Sequence, residues 1–147
     1  MRRTDFHHDT QTYGHSGRGT RLEWVPSRAG CETLLIAGIH GEEPETTVIL
    51  SRALRCLSEA PATTACILAA NPDGLVLGTR GNARGVDLNR NFPAANWQPE
   101  PVGVRWHVDE PGAGTVPIGT GSLPGSEPET RALIDLIDRL RPRRVVA

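Results

Sequence analysis

The stretch ETLLIAGIHGEEPETT, Glu32 to Thr47, holds a change of pattern that decides the fold. Its first half, up to His40, is a continuous apolar run with β-branched residues between Gly30 and Gly41, and reads as a strand buried on both faces. From Gly41 the chain turns polar and acidic. Pro44 fits the first position of a helix, and the acids around it suit the positive end of the peptide dipoles. Leu50, Ala53, Leu54 and Leu57 then recur at i, i+3, i+4 and i+7, so one helix face packs inward. His40 therefore stands where a buried strand ends and a helix begins.

The rest of the chain repeats this alternation. TACILAAN, Thr64 to Asn71, reads as the next buried strand, and NPDG, Asn71 to Gly74, as a turn in which Pro72 fixes φ and Gly74 tolerates a positive φ. Residues 75–125 are rich in Gly, Pro, Asn and Arg and read as mostly irregular. Ser126 and Glu129 have the spacing of a capping box, Leu133, Leu136, Ile137 and Leu140 give an apolar helix stripe, and Pro142 marks its end. RRVVA, Arg143 to Ala147, starts another strand, and RLEWVP, Arg21 to Pro26, is a short strand candidate. The order predicts an α/β fold with a mixed, largely parallel central sheet flanked by helices. Ligands of such sheets sit beyond the carboxyl ends of the strands, so His40 and the NPDG segment face one crevice. Residues 1–147 read as a single domain, with residues 1–12 a loosely held polar arm in which His7 and His8, like His15 beyond it, have surface roles.

Bulk composition excludes some functions. A formal net charge of -1 on 147 residues gives no general attraction to nucleic acid or anionic lipid, so neither is an expected partner. Cys31, Cys56 and Cys66 form no C-x-x-C pair and read as free thiols, with Cys56 and Cys66 buried, in a reducing compartment. MRRTDFHHDT lacks the apolar core of a signal peptide and no run reaches membrane-spanning length, so a cytoplasmic location is expected.

His40 and Glu43 form an H-x-x-E pair, but so do His107 and Glu110 in HVDE. Context separates them. The first pair bridges a strand and a helix, a rigid platform for a metal, whereas the second lies in a Pro/Gly-rich stretch and reads as chance spacing. The loop GTRGNARGVDLNRNFPAANW, Gly78 to Trp97, interleaves Arg80, Arg84 and Arg90 with Asn82, Asn89 and Asn91. Arginine offers a planar fork for a carboxylate, asparagine adds uncharged donors, and Val86, Leu88 and Phe92 can pin the loop to the body. Asp73 is read as part of its turn, Asp87 as orienting its own loop or the partner of a ligand, and Glu42 as helix N-terminal charge.

In this order and spacing, GIHGEE, NPDG, GVDLNRNFP and PGSEPET resemble the zinc carboxypeptidase family, and NRNFPAANW and GSEPET are similar to its branch that acts on murein peptides. The likeness runs from about residue 13 to the end of the sequence. It implies His40 and Glu43 as two ligands of one zinc ion, Arg80 as the catalytic cation that polarises the scissile carbonyl, and Asn89 and Arg90 as the binding pair for a terminal carboxylate. The implied substrate is a small anionic peptide, murein tripeptide, cut between γ-D-glutamate and diaminopimelate during cell-wall recycling. The family's third ligand, a histidine, falls just after the strand that reads RRVVA here, and its general-base glutamate further on, so the 147 residues read as the front of a longer, C-terminally truncated enzyme. The alternatives are a non-catalytic remnant that binds anionic peptides and an aspartoacylase-like deacylase, which shares an H-G-x-E element and an Asn-Arg pair.

Overall fold

The structure, a computed structural model, describes residues 5–105 and 114–147. Its centre is β3 (Thr33–Ile36), flanked in parallel by β4 (Thr64–Ile67) and β7 (Arg144–Val146). The register aligns Leu34 with Ala65 on one side and with Val145 on the other. Before them, β1 (Gln11–His15) and β2 (Arg21–Trp24) form an antiparallel hairpin. Val25, just past β2, exchanges both backbone hydrogen bonds with Cys66 at 2.7 and 3.0 Å, so the hairpin extends the sheet beyond β4 as a mixed edge. A second ribbon, β5 (Val102–Arg105) with β6 (Thr115–Ile118), lies within the stretch expected to be irregular.

Both faces of the sheet are covered around β3 and β4, whereas β7 is exposed along its length. Helix α3 (Pro128–Leu140) sends Leu133 and Leu136, both buried, onto Leu34, Ile36, Ala65 and Ile67. Helix α1 (Glu45–Arg55) covers the other face, where Leu54, Val25 and Cys66 are buried with Leu35 and Leu50 against them. The alternation along β3 thus feeds two cores, as the run from Leu34 to Ile36 requires. Fully burying one such leucine contributes about 1.5–3 kcal/mol.

Several local expectations are corrected. Pro44 precedes α1 rather than opening it, and Ala53 and Leu57 of the expected stripe are exposed. NPDG is the first turn of a helix, α2 (Pro72–Leu77): Asn71 caps it by accepting from the Gly74 amide at 2.9 Å, and Gly78, not Gly74, takes the positive φ. Ser126 and Glu129 form no capping box. Glu127 occupies the cap without a side-chain bond to the helix amides, and Glu129 is fully buried, accepting instead from the Gly17 amide and Asn82. Among the described residues of the N-terminal arm, Phe6 packs beside Leu54, and His8 is buried with its Nε2 2.8 Å from the Leu54 carbonyl rather than at the surface. Of the cysteines, all free, Cys66 is buried but Cys56 is exposed. No described helix is long and apolar enough to cross a membrane.

Candidate metal centre and substrate cavity

The turn after β3 is shaped by a close approach of two backbones. Gly41 packs on Gly74 so tightly that a Cβ on Gly41 would collide with the Gly74 carbonyl, while the Gly41 amide donates to Thr79 at 2.9 Å. Glycine is therefore required between His40 and the acids. The Asn71 side chain ties the same turn down by donating to the Ile39 carbonyl at 3.1 Å. His40 is 7% exposed, and its ring is held from both ends. Nδ1 lies 3.1 Å from Glu43 Oε2, and Nε2 lies 3.2 Å from Asp87 Oδ1.

Asp87 is the hub of this cluster. Fully buried, it caps the 3-10 turn Leu88–Arg90 through the Asn89 amide, meets His40 with Oδ1, and accepts from Arg80 Nε with Oδ2 at 2.9 Å. Burial alone would raise its pKa, but the His40 and Arg80 hydrogen bonds outweigh burial and bring it below the usual carboxylate range. His40 is shifted the other way: the Asp87 hydrogen bond raises its pKa more than burial lowers it, and Glu43 adds to the rise. Burial lowers the pKa of Arg80, but Asp87 and Glu42 together keep it above its ordinary value.

Arg80 is clamped by carboxylates. Besides Asp87 it donates through one terminal nitrogen to Glu42 Oε1 at 3.2 Å, and the same nitrogen is 3.6 Å from Glu43 Oε1. Its other terminal nitrogen has no partner among the described residues. Glu42 was the residue least legible in the sequence: it is mostly buried and pairs with Arg80 across 38 positions rather than serving the helix terminus. Asn89 brings its amide to 3.3 Å from His40 Nε2. His40, Glu43, Arg80 and Asn89 therefore share one site. His107 and Glu110 lie outside the described residues.

The donor set fits a zinc ion. An ionised Asp87 accepts a hydrogen bond from Nε2–H, which leaves the Nδ1 lone pair pointing at a carboxylate oxygen, and two acceptors in contact call for a shared proton or a cation between them. Two ligands of a tetrahedral zinc stand about 3.3 Å apart, near the 3.1 Å observed between Nδ1 and Oε2. A carboxylate on the far ring nitrogen is the usual support of a zinc-bound histidine. Among the described residues, no group of three His, Cys, Asp or Glu side chains is arranged to hold a metal.

Arg90 is placed differently. Its guanidinium is exposed and has no ion pair among the described residues. It lines a cavity of about 240 Å³ with Asn89, Phe92, Trp97 and Thr120. The other asparagines of the loop serve as framework. Asn82 donates to Glu127 and Glu129 at 2.8 and 3.0 Å, and Asn91 donates to the Thr120 and Leu123 carbonyls. Asp73, too, is an anchor, accepting from the Arg18 amide and the Thr20 hydroxyl of the hairpin. Val86 and Leu88 are buried and Phe92 packs on the core, so the loop is pinned where its apolar residues predict.

A histidine–glutamate pair on a strand-to-helix turn, backed by an Asp-x-Asn-Arg segment, is the arrangement of a zinc carboxypeptidase. The chain belongs to the zinc carboxypeptidase family, whose sequence profile matches residues 27–147. It is 46% identical over 140 residues to murein peptide amidase A of Escherichia coli strain K12, covering 94% of this chain and 57% of that protein. It is 41% identical to murein peptide amidase A of Vibrio campbellii over 138 residues, 92% of this chain and 55% of that protein. The chain thus spans a little over half the length of these relatives. The crystal structure of murein-tripeptide amidase from Escherichia coli O157 superposes with a TM-score of 0.89 at 45% identity, over 96% of this chain and 60% of that one. Bovine thrombin-activatable fibrinolysis inhibitor, at 20% identity and a TM-score of 0.64 over 92% of this chain and 50% of that one, shares the fold.

Proposed function

We propose that this chain carries the first part of the active site of a zinc-dependent peptide amidase that hydrolyses the bond between γ-D-glutamate and diaminopimelate in murein tripeptide. The observation that carries the reading is the convergence of His40 Nδ1 and Glu43 Oε2 at 3.1 Å, with Asp87 on the far side of the ring. His40 and Glu43 would hold the ion, which when bound supplies a Lewis acid and a water acidic enough to attack near neutral pH. Asp87 keeps the proton on Nε2 and so keeps Nδ1 free as a ligand. Arg80, anchored through Nε and one terminal nitrogen, has N–H groups left to donate to the scissile carbonyl oxygen as negative charge builds there. Arg90, with Asn89 beside it, would accept the terminal carboxylate as a fork.

The likeness to the murein peptide amidases at 46% and 41% identity supports the peptide class. The test is release of diaminopimelate from murein tripeptide by the zinc-loaded protein, alongside binding of the uncut peptide. Release that is lost in Arg80→Ala is the expected result. Peptide binding that depends on Arg90, without any release, would replace the amidase reading with that of a binding remnant. Release of acyl groups from acylated amino acids, with the tripeptide left intact, would point instead to a deacylase.

A further inference from the structure

Glu42 and Glu43 are adjacent acids in different surroundings. The Glu43 side chain is 42% exposed and has one oxygen, Oε2, 3.1 Å from His40 Nδ1. Its other oxygen, Oε1, stands 3.6 Å from a terminal nitrogen of Arg80, just beyond hydrogen-bond reach. The Glu42 side chain is 11% exposed, and Arg80 is its one partner among the described residues: the same terminal nitrogen donates to Glu42 Oε1 at 3.2 Å. Arg80 Nε is already engaged by Asp87 at 2.9 Å. Oxygens of two neighbouring acids therefore compete for one nitrogen, and that of Glu42 is the nearer.

The competition matters to a metal ligand. Arginine readily takes a carboxylate with two parallel hydrogen bonds. Swung onto Glu43, the Arg80 fork would engage the oxygens that face the ring of His40. A positive charge seated on that carboxylate offsets its attraction for a second cation. Glu42, largely removed from water, is costly to leave unpaired and so stays on Arg80.

We propose that Glu42 is a positioning residue that keeps Arg80 off Glu43 and so leaves Glu43 free to bind the metal. The proposal rests on the reading of His40 and Glu43 as zinc ligands. Glu42 acts through Arg80, and this separates it from an acid that merely attracts the ion through space. Such an acid would lose its effect with its charge, whether or not Arg80 were present. A spacer needs only an oxygen that accepts from Arg80, and needs it only while Arg80 is there.

Zinc affinity is measured by competition with a chromophoric chelator for the parent, Glu42→Ala, Glu42→Gln, Arg80→Ala and the double variant Glu42→Ala/Arg80→Ala, with folding of each checked in urea. Glu42→Ala is expected to weaken zinc binding about tenfold, as loss of a group that supports a ligand does. Glu42→Gln, whose amide oxygen still accepts from Arg80, should stay within about threefold of the parent. In the Arg80→Ala background, Glu42→Ala should change the affinity less than about twofold. If Glu42→Ala does not fold, Glu42→Met fills the space without offering Arg80 an oxygen, and the same ratios are read. Equal weakening by Ala and Gln, or a tenfold loss that persists without Arg80, overturns the proposal in favour of a through-space charge. Parent affinity in Glu42→Ala overturns it outright. A parent affinity that His40→Ala leaves unchanged removes the metal reading, and the proposal with it, whereas dependence on His40 with indifference to Glu42 removes the proposal alone.

Discussion

Arg80 and Arg90 lie ten residues apart on one loop, yet the fold uses them in opposite ways. Arg80 is surrounded by Glu42, Glu43 and Asp87, and two of its three nitrogens are committed. Arg90 stands exposed at a cavity with no counter-ion among the described residues. The first belongs to a network that the protein completes by itself, so its removal should register in stability. The second is unpaired until something arrives, so its removal should register in binding. The contrast separates a preorganised charge from a recognition charge within one segment of sequence.

The largest expected effect is at the hub. Asp87→Ala removes the buried partner of both His40 and Arg80 and should lower unfolding free energy in urea by about 3–5 kcal/mol, the range for breaking a buried pair. The same variant should weaken zinc binding about 10–100-fold in competition with a chromophoric chelator. A loss below 1 kcal/mol would mean that Arg80 is held by something else. Next in size, Gly41→Ala forces the turn after β3 away from α2 and should cost about 1–3 kcal/mol as an overpacking change, read by thermal unfolding. Glu42→Gln keeps the shape but removes the charge from one Arg80 bond, and a cost of about 1.5 kcal/mol is expected, with Glu42→Asp intermediate. The smallest effect on stability belongs to Arg90→Ala, within about 0.5 kcal/mol of the parent, although calorimetry should show anionic peptide binding lost. Equal losses at Glu42 and Arg90 would erase the distinction between the two arginines.

The parts that were legible in the sequence are those whose signals are local. The run from Glu32 to His40 announced β3, the stripe from Leu133 to Leu140 announced α3, and Val86 and Leu88 announced the anchoring of the loop. The cluster around His40 is also drawn from short segments, since His40 and Glu43 are three residues apart and Arg80, Asp87 and Asn89 lie within ten. What stayed hidden depends on partners far along the chain. Glu129 has the position of a capping residue, but the Gly17 amide 112 positions away and Asn82 claim its carboxylate. His8 looks like a surface residue until Leu54 offers it a carbonyl. Glu42 and Glu43 are indistinguishable by type. Only the path of the backbone after Gly41 sends one toward Arg80 and brings the other to the ring of His40.

The central claim is that His40 and Glu43 together bind a metal, and X-ray absorption spectroscopy of the zinc-loaded chain tests it most directly. The expected first shell contains one imidazole nitrogen and carboxylate oxygen at about 2.0–2.2 Å, and the imidazole contribution should vanish in His40→Ala. A stoichiometric zinc whose imidazole signal survives that substitution, moved instead by changes at His7, His8 or His15, would contradict the account.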